Sequence, residues 1–458
     1  MNRIASRAWV TWFLILVLLG GTGLFVYEYL TQANDWVLSP GSPHVYDEHG
    51  KVCGIVVDRD GILLLDQKGG GVYSESLQLR KAALHWVGDR LGNVRAGAIS
   101  HYDKLLAGFD PVNGVYAYGG VGGEAKLTLS SQLQMAALEA MGDYVGTLAV
   151  YNYKSGELLC AVTTPTFDPD NVPDIAGDTT GVFEGVYLNR FLQSVYIPGS
   201  IFKVVTTAAA LEEIDGILDM RFTCTGTLQF GIDKVTCERV HGTQTLKEAM
   251  AVSCNCVYGQ VALLIGGEKL QSYAEKFGIT KRIRFDGITT AAGNFQAAGQ
   301  ADVNVCWSAI GQHLDQVNPC AFLSFVGAIA NGGITVEPYV VQSITSGDNV
   351  THMGKPNGGE RIMSEETAAL LHEFMRNNVV SYYGTDKFPN ITVCGKTGTG
   401  QVDTGKKANA MFTGFIDDEE LPLAFIVCIE DGGYGRKVAI PVISEVLETC
   451  LDLKDKLV

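Results

Sequence analysis

The longest apolar run in the chain is AWVTWFLILVLLGGTGLFVY, residues 8–27, in which no position is charged. At a helical rise of 1.5 Å per residue, twenty such positions span roughly 30 Å, the thickness of a bilayer core. Arg3 and Arg7 precede the run, and Glu28 and Asp35 follow it. That bias places the N-terminus on the cytoplasmic side. The pattern therefore predicts a cytoplasmic tail over 1–7, a transmembrane signal anchor over 8–30, and an extracytoplasmic remainder. The alternative is a cleaved signal peptide, with Thr31 and Ala33 at a weak cleavage site.

Beyond the anchor, two strand-like runs follow the turn signals Asp47-Glu48-His49-Gly50 and Asp58-Arg59-Asp60-Gly61. They predict a small β-rich stalk within residues 31–125. The second signal is a turn rather than a calcium loop, because Ile62 occupies the next ligand position and no Glu closes the loop. Residues 74–110 read as helical and irregular. From residue 126 the texture changes. Leu133, Ala136, Ala137 and Ala140 repeat at helical spacing within KLTLSSQLQMAALEAMG. GTLAVYNYKSGELLCAVT then predicts two apolar strands joined at Lys154-Ser155-Gly156. Helices are expected over 200–213, 244–250, 255–265, 268–277 and 319–331. Strands return in ITVCGKTGT, AMFTGFID and LPLAFIVCIE, and an apolar helix closes the chain at 440–453. Strands at both ends with helices between imply one sheet assembled from distant segments and an inserted helical lobe, an α+β fold over 126–458.

Composition adds limits. With 47% hydrophobic and 18% charged residues, the chain can bury a large core in two or three domains. A formal net charge of −16 argues against nucleic acid as a partner. The eleven cysteines leave at least one thiol unpaired. Cys224 and Cys237 flank TGTLQFGIDKVT, which reads as a small hairpin, and they are the expected disulfide, since an extracytoplasmic compartment permits one. Cys254 and Cys256 form a CxC without a partner pair or an adjacent His, which is poor evidence for zinc. No Walker loop, dinucleotide fingerprint, HExxH or His/Asp cluster occurs, so no metal and no cofactor is expected.

Three short polar clusters carry the chemistry. In YIPGSIFKVVTTAAALE, Ser200 and Lys203 stand on one face at the start of an apolar helix. Helix N-terminal amides there favour developing negative charge. A serine hydroxyl needs a base, and a lysine can serve only if its pKa falls from about 10.4. Ile201, Phe202, Val204 and Val205 supply the apolar surroundings for that shift. Taken alone, the pair is better explained by a Ser cap followed by a solvated Lys. AVSCNCVYG places Ser253 and Asn255 two apart between helices, a hydroxyl to relay a proton and an amide to hold a substrate amide. VCGKTGTGQV ends a strand with Lys396, Thr397, Gly398 and Thr399, a set suited to a carboxylate, with Gly398 admitting a ligand backbone.

SxxK, SxN and KTG in this order resemble the penicillin-recognising serine acyl-transferases. The flanks over about 126–436 resemble the transpeptidase domain of class B penicillin-binding proteins, with the penicillin-binding protein A type most similar. That resemblance implies a β-lactamase-like serine transpeptidase fold with a five-stranded antiparallel sheet. It also implies D,D-transpeptidation: Ser200 attacks the penultimate D-Ala carbonyl of a peptidoglycan stem peptide, and an amine of a second stem takes the acyl group. In the same scheme Lys203 is the base, Ser253 relays the proton to the leaving amine, and Asn255 binds substrate backbone. Lys396, Thr397 and Thr399 surround the terminal carboxylate, and the backbone N–H groups of Ser200 and Thr399 form the oxyanion hole. The implied ligands are stem peptides ending in D-Ala-D-Ala and β-lactam antibiotics, and the implied partner is a polytopic glycan polymerase. Ile201 departs from the commoner Thr or Met after the nucleophile, and Cys254 sits inside the SxN triplet. The competing readings are a D,D-carboxypeptidase, a β-lactamase and a non-catalytic β-lactam-binding scaffold.

Overall fold

In the computed structural model, residues 2–37, 46–47, 50–51, 54–67, 71–94, 100–107, 109–110, 115–116, 122–402 and 405–457 are described. Glu48 and His49 of the first turn signal and Cys53 lie outside them. The N-terminal helix runs Asn2–Val37, and its Arg7–Gln32 portion is long and apolar enough to cross a bilayer.

The central sheet is built from two distant stretches. β1 (Gly146–Asn152) and β2 (Leu158–Thr164) form the hairpin expected around Lys154-Ser155-Gly156. Between them and the closing strands lies the helical lobe, with α1 (Lys203–Glu213), α2 (Leu246–Ala251), α3 (Asn255–Ile265), α4 (Pro319–Ala330) and α5 (Glu365–Asn378). β3 (Val393–Gly400), β4 (Asn409–Ile416) and β5 (Leu423–Ile429) complete a five-stranded antiparallel sheet of order β2-β1-β5-β4-β3. The α+β expectation and the strand count both hold.

Every residue of β1, β2, β4 and β5 is buried, because helices cover both faces. The period of two still sorts the side chains. Leu148 and Val150 face a core with Leu133, Ile443 and Val446, whereas Ala149 and Tyr151 face the one holding Phe322, Val205 and Met250. Helix Ser131–Met141 and α6 (Gly435–Asp452) line the first core, and the helical lobe lines the second.

A second sheet of six strands flanks the N-terminal segment. Its order is Asn349–Met353, Val341–Ser346, Glu124–Leu127, Ile55–Val57, Leu63–Asp66 and Val72–Tyr73. A boundary at 125/126 therefore falls inside a strand, and two strands of this sheet come from beyond α4. The Asp58-Arg59-Asp60-Gly61 turn forms as read: Asp58 Oδ1 accepts from the backbone N–H groups of Asp60 and Ile62 at 2.9 and 2.8 Å.

Candidate active site

Gly199, with φ of +52°, opens a tight 3-10 turn over Gly199–Phe202, and the α-helix proper begins at Lys203. Ser200 thus sits in the turn that feeds α1, and the α-helix expected from residue 200 begins three residues later. The end of β3 runs alongside this turn. A Cβ on Gly398 would lie 2.6 Å from Pro198 O and 2.9 Å from Ile201 Cγ2. A Cβ on Gly199 would overlap Thr399 O, and one on Gly400 would overlap Ile197 O. The glycine of KTG is therefore required for the strand to pack on the Ser200 turn. Gln312 donates to Thr399 O at 3.3 Å and Gly199 N–H to Gly311 O at 2.8 Å, tying the same turn from the far side.

α2 is started by a capping box, in which Thr245 and Glu248 satisfy each other's backbone N–H groups. It stops at Val252, and Ser253 takes the left-handed conformation with φ of +58°. That reversal aims Ser253 and Asn255 at one point. Lys203 Nζ donates to Ser253 O at 2.7 Å, to Ser253 Oγ at 3.0 Å and to Asn255 Oδ1 at 2.7 Å. Lys396 Nζ reaches the same Ser253 Oγ at 3.2 Å and Thr397 O at 2.9 Å. Among the described residues Lys203 bonds the SxN loop rather than Ser200 Oγ, so the one-turn spacing alone did not give its partners.

Both lysines are fully buried. Burial, followed by the positive charge of Lys396, lowers the Lys203 pKa to about 7. Burial alone lowers that of Lys396 to about 7 as well. The Lys203 amine also lies 5.4 Å from the centre of the Tyr258 ring, whose hydroxyl is 2.6 Å from Thr207 Oγ1.

Thr397 is held from behind. Its backbone N–H and its hydroxyl both donate to Tyr383 Oη at 3.1 Å, and Asn378 Nδ2 donates to Gly395 O at 3.0 Å. Tyr383 and Asn378 belong to α5 and the π-turn that follows it, a stretch with no recognisable motif. Sequence reasoning missed both.

The expected Cys224–Cys237 disulfide does not form. Both are free thiols, as are all ten cysteines among the described residues. Phe222–Cys224 pairs with Gly242–Gln244, while the hairpin Thr227–Phe230/Asp233–Thr236 delivers Cys237 to the start of α3. There Cys237 Sγ lies 3.6 Å from Cys254 Sγ and accepts from Cys256 N–H at 3.2 Å.

A family model described as "Penicillin binding protein transpeptidase domain" matches residues 146–448. The chain belongs to this family. The matched transpeptidase domain includes the whole five-stranded sheet and all three polar clusters. It is 28% identical over 355 residues to peptidoglycan D,D-transpeptidase PbpA of Mycolicibacterium smegmatis, covering 70% of this chain and 71% of that one. Among solved structures, the D,D-transpeptidase domain of a peptidoglycan glycosyltransferase from Eggerthella lenta superposes with a TM-score of 0.75 at 25% identity. It covers 89% of this chain and 99% of that one. Penicillin-binding protein A of M. tuberculosis, as its ceftriaxone acyl-enzyme, superposes with a TM-score of 0.76 at 23% identity over 87% of this chain and 98% of that one.

Proposed function

We propose that this chain is a peptidoglycan D,D-transpeptidase whose acyl-enzyme forms on Ser200. The observation that carries the assignment is the meeting of Lys203, Ser253, Asn255 and Lys396 beside the nucleophile turn. Ser200 Oγ attacks the penultimate D-Ala carbonyl carbon of a stem peptide, and its proton passes to the free amine of Lys203. A pKa of about 7 leaves a large share of Lys203 unprotonated at neutral pH. With Lys203 neutral, the Ser253 hydroxyl donates to that amine while accepting from Lys396, which gives the proton a path to the departing nitrogen. The C–N bond breaks, terminal D-Ala leaves, and an amine of a second stem attacks the Ser200 ester to form the cross-link.

In this reading the backbone N–H groups of Ser200 and Thr399 hold the oxyanion, each typically worth about 3 kcal/mol. Asn255 holds substrate backbone, and Lys396, Thr397 and Thr399 receive the terminal carboxylate. A β-lactam enters the same path and stays as the ester. Residues 8–30 anchor the protein with the N-terminus in the cytoplasm. Residues 31–125, with the strands over 341–353, form a pedestal, and 126–458 carry the chemistry outside the membrane. The anchor and pedestal are the surfaces offered to a polytopic glycan polymerase.

Intact mass of the protein after benzylpenicillin tests the assignment. One adduct per chain is expected, and none in Ser200→Ala. An adduct that survives in Ser200→Ala, or a folded wild type that takes none, overturns it.

A further inference from the structure

The thiols that fail to pair have other neighbours. Cys224 Sγ lies 3.6 Å from His241 Nδ1, and Cys237 Sγ lies 3.6 Å from Cys254 Sγ. All four ligand atoms fall within 4.8 Å of one another. We propose that Cys224, Cys237, His241 and Cys254 bind one zinc ion that clamps the SxN loop to the adjoining β-ribbon.

The geometry favours a metal over a bridge. A tetrahedral ion with Zn–S near 2.3 Å and Zn–N near 2.0–2.1 Å sets S···S at ~3.8 Å and S···N at ~3.6 Å. The observed separations are close to both. A disulfide needs about 2.05 Å between sulfurs, so Cys237 and Cys254 would have to move together by more than an ångström. Three thiolates and an imidazole select zinc among the common divalent ions, and four protein ligands leave no open position, as in structural sites. The Cys256 N–H donating to Cys237 Sγ is the kind of outer hydrogen bond that steadies a ligating thiolate. Metal uptake displaces the thiol protons into solvent, one for each cysteine that ligates.

The ligands join two separate pieces of chain. Cys224, Cys237 and His241 belong to the ribbon over 222–244, and Cys254 caps α3 between Ser253 and Asn255. The same ribbon accepts a hydrogen bond at Thr236 O from Asn255 Nδ2 at 2.8 Å. Zinc there would hold Ser253 in its left-handed conformation and Asn255 against Lys203. The four ligands act on the reaction by positioning and do not touch substrate. That effect rests on the function proposed above, whereas metal binding does not.

The test uses the full chain in detergent, purified under reducing conditions without chelator. Elemental analysis by mass spectrometry should find about one zinc per chain. Replacement by Co²⁺ should give the visible d–d bands of a tetrahedral thiolate site. Cys224→Ser and His241→Ala should each lower bound zinc severalfold at fixed free zinc, and His241→Cys should restore it. A picolinate-type chelator should slow penicillin acylation roughly 10-fold or more, with recovery on adding zinc. Ser200→Ala should bind zinc normally, which separates this site from the assignment of the nucleophile. Failure to take up zinc or Co²⁺ in the reduced wild type overturns the proposal. So does a reduced wild type that still carries a Cys237–Cys254 linked peptide, or unchanged zinc in the Cys224→Ser/His241→Ala double variant.

Discussion

Lys203 and Lys396 share one acceptor: their side-chain nitrogens stand 3.0 and 3.2 Å from Ser253 Oγ. Two buried amines this close do not both keep a proton at neutral pH, and both are lowered to about 7. Lys203, as the proposed base, must be neutral to accept the Ser200 proton, so acylation by penicillin should rise as pH passes upward through about 7 and level off above it. Stopped-flow acylation rates from pH 5.5 to 9 check this. Lys203→Met should remove the rise and lower the plateau by about 10²–10⁴-fold.

Asn255 offers Lys203 a neutral oxygen at 2.7 Å. Asn255→Asp puts a carboxylate there, which favours the ammonium form and deprives Thr236 O of its donor. The pH midpoint of acylation should move up by about one unit or more, with a slower rate at pH 7 that partly recovers at pH 9. The same stopped-flow series reads it, and a midpoint left in place would separate Asn255 from the proton economy of Lys203.

Tyr383→Phe removes the acceptor of both the Thr397 N–H and its hydroxyl. Leaving such groups unmade in a largely buried strand costs about 1–3 kcal/mol. A lower melting temperature and a several-fold weaker acylation efficiency are expected, with the pH midpoint unchanged. Calorimetry and the same acylation assay report the two effects separately.

Gly398→Ala forces a methyl to within 2.6 Å of Pro198 O, so either β3 or the nucleophile turn must move. Acylation should fall by about 100-fold while the lysine pKa values hold, because a 1 Å misplacement of reacting groups costs on that order. A crystal structure or a penicillin-labelling time course would expose the displacement.

The sheet strands were readable because both faces of β1, β2, β4 and β5 are buried, which makes each a continuous apolar run between turn residues. Asn349–Met353 was not, since most of its side chains are exposed and carry no alternation. Ser200, Lys203, Ser253, Asn255 and Lys396 were named through three motifs, yet their contacts bridge 50 to 143 residues of chain and depend on the reversal at Ser253. Asn378 acts through one hydrogen bond to Gly395 O and Tyr383 by accepting from the Thr397 N–H and hydroxyl, contacts that no spacing rule marks. The thiol cluster was misread as a local pair. Its four residues stand thirteen, four and thirteen positions apart, and the pairing of Phe222–Cys224 with Gly242–Gln244 brings His241 beside Cys224.

The six-stranded sheet bears on how the chain can be shortened. Val341–Ser346 pairs with Glu124–Leu127, which pairs in turn with Ile55–Val57. A fragment trimmed at 126 would strip Val341–Ser346 of most of its inner neighbour and expose an unpaired ladder, an invitation to self-association. A fragment beginning before Gly54 keeps those hydrogen bonds intact. The smallest fragment that keeps these strands paired is therefore defined by the interlaced sheet and begins far upstream of the three polar clusters.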